Sequence, residues 1–165
     1  MKKTIIIFLI VFCNTIYSQE KEKEIEKKFV YPNRSSLQKI IDSHKGSVIY
    51  IDFWASWCKP CRKEITKMKG IKEYFKDKSV SFIYISIEGE KIKCAEAIEK
   101  DGVIEENYLM YELFNDTGYK ELDKINAIPH YIIFNKKGEM VNSNAPSPSQ
   151  ESKLIKELNK YLDEE

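Results

Sequence analysis

The stretch Trp54-Ala55-Ser56-Trp57-Cys58-Lys59-Pro60-Cys61 decides the fold. Before it runs Val48-Ile49-Tyr50-Ile51-Asp52-Phe53, a β-branched and aromatic segment that reads as a buried strand. After it, Ile65, Met68, Ile71, Tyr74 and Phe75 recur at helical spacing. Two cysteines therefore stand where a strand turns into a helix. Pro60 suits the first turn of that helix, where its missing N–H costs nothing. With two residues between them in a first helical turn, the cysteines have Cα atoms roughly 5–6 Å apart, the span a disulfide needs. Unpaired amides and the positive end of the helix dipole favour thiolate at Cys58, and Lys59 adds charge of the same sense. Cys58 is expected to be the exposed attacking sulfur and Cys61 the more buried, resolving one.

A Trp-x-x-Trp-Cys-x-Pro-Cys pattern after a strand resembles the thioredoxin superfamily. The run Cys58-Lys59-Pro60-Cys61-Arg62-Lys63-Glu64 is most similar to its extracytoplasmic TlpA/ResA-type thiol-disulfide oxidoreductases. The likeness extends from about Phe29 to the C-terminus. It implies an α/β thioredoxin fold with a central mixed β-sheet flanked by helices. It also implies an extra strand–helix insertion between the Cys helix and a cis-proline. For Asp52 it implies a buried carboxylate that assists proton transfer at the inner cysteine. For Glu64 it implies a carboxylate close to the active site and linked to thiol pKa. The residues themselves leave alternatives. Asp52 interrupts an apolar strand, where a carboxylate is costly unless used or paired, and it also fits a satisfied structural group. Glu64 shares a helix face with Cys61, and it also fits an exposed Glu–Lys pattern. Thr66 stands where the family often has a proline.

Ile128-Pro129 precedes the strand-like run His130-Tyr131-Ile132-Ile133-Phe134. The resemblance implies that Pro129 is cis and faces the disulfide, with Ile128 offering its backbone to a bound substrate strand. An X–Pro bond pays only about 0.5–1 kcal/mol for the cis form, so the sequence permits this. Trp57, Ile128 and Pro129 would together hold an extended peptide. His130 replaces the family's usual threonine, and it joins Lys59 as a candidate modulator of the Cys58 thiol.

The rest of the chain sets the context. Its 165 residues favour one domain, and a net charge of +1 gives no sign of a nucleic-acid partner. Lys2 and Lys3, an apolar run from Ile5 to Cys13 and a polar patch to Ser18 have the order of a secretory signal peptide over 1–18. The apolar run is short for a bilayer, which needs roughly 17–25 residues. Phe12 argues against a lipoprotein site at Cys13. An uncleaved N-terminal membrane anchor is the alternative. Residues 19–28 read as a charged spacer, and 29–165 as the thioredoxin-like domain. Export would leave Cys58, Cys61 and Cys94, an odd count. Cys94, in a helix expected over 91–100, fits a small buried hydrophobe. A third redox sulfur or an intermolecular bridge is the rival reading.

Further elements are expected as follows. Phe29-Val30-Tyr31 suggests an early edge strand ended by Pro32. Ser35 caps a short helix carrying Leu37, Ile40 and Ile41, with His44 in its exposed last turn and Gly46 closing it. Residues 80–87 form a strand, and 108–111 a short strand or link. Asp116 or Thr117 caps a helix to about Lys124. A hairpin turns at Asn135-Lys136-Lys137-Gly138. Ser149 caps a last helix bearing Leu154, Ile155, Leu158, Tyr161 and Leu162.

The function expected from this pattern is a thiol-disulfide oxidoreductase of the cell envelope. It would reduce disulfides of exported proteins, for example in cytochrome c maturation. A membrane thiol donor would re-reduce it, and neither a cofactor nor a metal is called for. The competing readings are a disulfide-forming oxidase of the same fold, a copper(I) or zinc carrier using Cys58, Cys61 and a histidine, and a binding domain with an idle disulfide.

Overall fold

The structure is a computed structural model, and it describes residues 2–30, 36–103, 105–113 and 125–164. In chain order the elements are α1 (Lys2–Glu26), α2 (Leu37–Ser43), β1 (Val48–Trp54), α3 (Lys59–Phe75), β2 (Val80–Ser86) and α4 (Lys91–Asp101). Then come β3 (Glu106–Leu109), α5 (Met110–Leu113), β4 (His130–Phe134), β5 (Met140–Asn142) and α6 (Glu151–Asp163). The expected helix at about 116–124 lies outside the described residues, as do Pro32 and Ser35.

Five strands form one mixed sheet in the order β3-β2-β1-β4-β5. β1 is central. It runs parallel to β2 and antiparallel to β4, and each of its seven residues is buried. That is why β1 carries a β-branched and aromatic run broken only by Asp52: helices cover both of its faces. One face, bearing Val48 and Tyr50, packs under Met68, Ile71 and Phe75 of α3 and under Leu154, Leu158 and Tyr161 of α6. The other face, bearing Ile49, Ile51 and Phe53, packs on Leu37, Ile40 and Ile41 of α2. Leu154 and Leu158 are fully enclosed, and each contributes about 1.5–3 kcal/mol through burial. α4 and β3 supply the strand–helix pair expected between the Cys helix and Pro129.

Glycine marks two of the turns. Gly46, at φ +94°, follows α2 and donates to the Lys136 carbonyl at 2.9 Å. Gly138, at φ +82°, closes the hairpin turn, and a Cβ there would meet Ile41 at 2.9 Å.

Several expectations change. Phe29 and Val30 are not part of a strand. Phe29 instead joins the core beside Trp54, and a single bond ties the Val30 amide to the Asn107 carbonyl. The charged 19–28 segment is helical as far as Glu26, continuous with α1. Ile25 packs against the domain, and Lys91 lies 3.7 Å from Glu26. Among the described residues no helix is long and apolar enough to cross a membrane. Ser36 rather than Ser35 caps α2, accepting from the Lys39 amide. Ser147 rather than Ser149 forms the capping box, with Gln150, that leads through a 3₁₀ turn into α6. Tyr74 and Ile92 fall on the solvent sides of their helices and are exposed. His44 caps α2 and is largely covered, with Nδ1 2.9 Å from the Ile40 carbonyl and Nε2 3.4 Å from Glu106.

Candidate active site

The cysteine pair is formed by the first turn of α3. Cys58 is the N-cap residue, and its Sγ accepts the Cys61 amide at 3.2 Å. A sulfur in that place fills the position that an N-cap oxygen usually takes, so the amides of the helix end are directed at it. Cys58 and Cys61 are joined as a disulfide with Cα atoms 5.3 Å apart, within the span set by their spacing. Pro60 stands in the first turn, as its missing N–H requires.

Access to the two sulfurs differs in the expected order but by less than expected. Cys61 is fully buried, and Cys58 keeps only 5% exposure. Both belong to an apolar cluster with Trp54, Ala55 and Ile65, against which Ile128 packs. Trp57, at 65% exposure, projects from the loop just before Cys58. The Ile128–Pro129 bond is cis. Lys59 opens α3 on its solvent side. His130 begins β4 opposite Phe53, and its ring centroid lies 6.2 Å from that of Phe53. This register puts His130 on the sheet face opposite Asp52, turned away from α3.

Beneath α3, Asp52 lies in register with Tyr84 of β2 and Tyr131 of β4. Aligned residues share a sheet face, so the three form a polar row across the centre of the sheet. Asp52 is 1% exposed, and among the described residues neither of its carboxylate oxygens has a hydrogen-bond partner. Burial drives its pKa well above the usual 3.8. The negative Glu64 adds to the rise, and Lys72 opposes it. Lys72 reaches over the Tyr84 ring at 5.0 Å and pairs with Glu105 at 2.6 Å. Burial raises Tyr84 and Tyr131 as well, with Asp52 the next contribution for each, so both stay phenols.

Glu64 is tied to the segment that leads into α6. Its carboxylate accepts the Ser149 amide at 2.7 Å and the Ser149 hydroxyl, and Lys67 lies 3.5 Å away. Partial burial raises its pKa, but the bonds from Ser149 and the Lys67 charge outweigh this and leave it below 4.5. Cys94 is fully buried. Burial pushes its thiol up to about 12, so it stays a thiol. Among the described residues no group of three or more His, Cys, Asp or Glu side chains could hold a metal ion.

The structure thus brings Cys58, Cys61 and Ile128 together, with Asp52 on the face beneath α3. Sequence reasoning did not single out Tyr84, Tyr131 or Lys72. Nor did it single out Glu88, whose carboxylate meets the Cys loop from the end of β2. Only the sheet register shows Asp52 flanked by two tyrosines, because their separations along the chain carry no periodic signal.

A strand–turn–helix with its disulfide at the helix N-cap, and with the residue before a cis-proline packed against the same apolar cluster, defines a thioredoxin-fold protein of the thiol-disulfide exchange class. The thioredoxin-like family model matches residues 46–140. The chain is 25% identical over 149 residues to a thiol-disulfide oxidoreductase ResA of Bacillus cereus, covering 82% of this chain and 83% of that one. It is 27% identical over 125 residues to ResA of Bacillus thuringiensis subsp. konkukian, covering 62% of this chain and 72% of that one. Against ResA of Bacillus subtilis (strain 168) the match spans 61% of the relative's length. A Bacteroides vulgatus protein described as a thiol-disulfide oxidoreductase has a solution structure that superposes with a TM-score of 0.62. It shows 29% identity over 74% of this chain and 78% of that one. The chain belongs to the thioredoxin-like family, as a thiol-disulfide oxidoreductase of the TlpA/ResA type.

Proposed function

We propose that this protein is a protein-disulfide reductase of the cell envelope, acting on exported proteins, with cytochrome c maturation as one setting. The observation that carries the reading is the Cys58 sulfur at the N-cap of α3, bonded to Cys61 on the face that covers Asp52. In the reduced protein the helix-end amides hold Cys58 as thiolate. The thiolate attacks one sulfur of a client disulfide, forming a mixed disulfide and releasing the first client thiolate, which takes up a proton. Cys61 then loses its proton to the Asp52 carboxylate and attacks Cys58 Sγ. The second client sulfur leaves as a thiolate and takes up a proton, Asp52 gives up the one it gained, and the Cys58–Cys61 disulfide closes. Two electrons have passed to the client, and a membrane thiol donor restores the dithiol. The raised pKa of Asp52 makes it a stronger base than an ordinary carboxylate. Glu64, fixed by Ser149, supplies the negative charge that helps hold Asp52 high. Trp57, Ile128 and Pro129 bind the client as an extended strand through its backbone. Lys59 adds positive charge to the same helix end. His130 is a candidate modulator of Cys58, acting from the sheet face opposite Asp52.

The positive N-terminal segment and the apolar run after it support export, with a signal peptide over 1–18 or an anchor there as the route. Insulin-reduction turnover tests the chemistry. Wild type turns over, and Cys58→Ser falls by at least about 1,000-fold. Cys61→Ser accumulates clients as mixed disulfides on Cys58, identifiable by mass. A reduction potential close to thioredoxin's, about −270 mV, fits a reductase, whereas one near about −120 mV reverses the direction.

A further inference from the structure

We propose that Glu88 is a positioning residue for the exchange site: it anchors the loop that carries Trp57 and Cys58, and so sets how readily the disulfide closes. Glu88 follows β2 by two residues and is only 7% exposed. Oε1 accepts the Ser56 amide at 2.8 Å and the Ser86 hydroxyl at 3.0 Å, and Oε2 accepts the Ser56 hydroxyl at 2.5 Å. Three donors converge on one carboxylate, and two of them belong to the residue two positions before Cys58. The neighbouring backbone closes the same clasp. The Ile87 amide donates to the Trp54 carbonyl at 3.0 Å, and the Cys58 amide donates to the Ala55 carbonyl at 3.0 Å. The turn from Trp54 to Cys58 is therefore tied to the end of β2 at Trp54 and at Ser56, and it is closed on itself by the bond between Ala55 and Cys58. No spacing rule links the two, because Ser56 and Glu88 are 32 residues apart.

The consequence is thermodynamic. An anchored loop presents Cys58 Sγ to Cys61 in the geometry of the closed disulfide in both redox states, which raises the effective concentration of one sulfur at the other. A high effective concentration favours the disulfide and so makes the dithiol the better reductant. The clasp therefore pushes the protein toward donating electrons, and this inference rests on the exchange chemistry proposed above. Glu88 does not touch the client or the sulfurs in this account. It acts through Ser56.

The test compares Glu88→Ala, Glu88→Gln, Ser56→Ala and the Glu88→Ala/Ser56→Ala double variant, each equilibrated with glutathione and each assayed for insulin reduction. Circular dichroism confirms the fold. Glu88→Ala should shift the equilibrium about tenfold toward the dithiol, a rise of about 30 mV for a two-electron couple, and lower kcat/KM about tenfold. Glu88→Gln should restore most of both, because its amide oxygen still accepts the Ser56 amide. Ser56→Ala, which leaves the Glu88 core intact, should shift the equilibrium about threefold, and it should add nothing on the Glu88→Ala background. The inference is overturned if folded Glu88→Ala stays within twofold of wild type in the glutathione equilibrium. It is equally overturned if Glu88→Gln behaves as Glu88→Ala, or if the two single shifts add. If Glu88→Ala does not fold, Ser56→Ala decides alone: an unchanged equilibrium overturns the clasp. Wild-type turnover in the same assay reports on the exchange chemistry separately, so a failure there is distinguishable from a failure of the clasp.

Discussion

Two buried carboxylates flank the Cys loop, and they are treated in opposite ways. Glu88, beyond the end of β2, receives three hydrogen bonds and no bare oxygen is left. Asp52, in the middle of β1, receives none on either oxygen from the described residues. Burying a carboxylate with converging donors produces an anchor, because those bonds replace the lost water. Burying one without donors produces a group whose charged form is penalised, so its proton is held to higher pH. On the roles proposed above, the same functional group serves once for shape and once for proton chemistry, with the surrounding donors deciding which.

The sharpest way to break this contrast is at Asp52. Asp52→Asn should slow insulin reduction by about 10- to 100-fold, with the loss concentrated in the release of the mixed disulfide, as single-turnover kinetics would show. The same variant should be more stable than wild type at neutral pH. The folded pKa of Asp52 lies above its unfolded value, so its stabilising contribution is complete below about pH 3.8 and is lost as pH rises through the folded value. Denaturant melts across pH should show the variant's advantage growing from about pH 4 upward and then levelling off above the folded value. A flat difference would place Asp52 with Glu88 among the satisfied groups.

A smaller effect is expected at Glu64. Its pKa is lowered, so the stability it supplies is present above 4.5 and is lost as pH falls through the folded value. Glu64→Gln should cost about 1–2 kcal/mol at neutral pH, with the cost fading in acid. Removing that negative charge should also bring the Asp52 pKa down, visible as an acid shift of the pH–rate profile. The smallest effect belongs to Cys94. Cys94→Ala should cost about 1 kcal/mol through lost packing and leave turnover unchanged. In the native reduced protein this thiol should resist labelling at pH 7, because burial holds it as a thiol with a pKa of about 12.

Much of the site was legible in the linear order of residues, because its parts are local. The cysteines, Pro60 and the strand–helix junction lie within one turn of each other, and fixed helical geometry converts a two-residue gap into a bondable distance. The alternating and helical periodicities likewise marked β1, β2, β4, α3 and α6, since those faces must be apolar wherever the sheet is covered. Errors gathered at element ends. The sequence suggests Ser35 and Ser149 as caps, whereas Ser36 and Ser147 serve, because neighbouring serines offer equivalent oxygens and only the backbone path selects one. Ser149 is instead drawn to Glu64, a partner 85 residues away.

Chain order alone therefore settled the chemistry class and the central strand, both of which depend on neighbours a few residues apart. It could not say which of two buried acids is satisfied, which face His130 occupies, or what ties the Cys loop in place. Those outcomes depend on sheet register and on contacts across 32 residues or more. A hydrogen bond forms where folded segments meet, and no local propensity encodes that meeting.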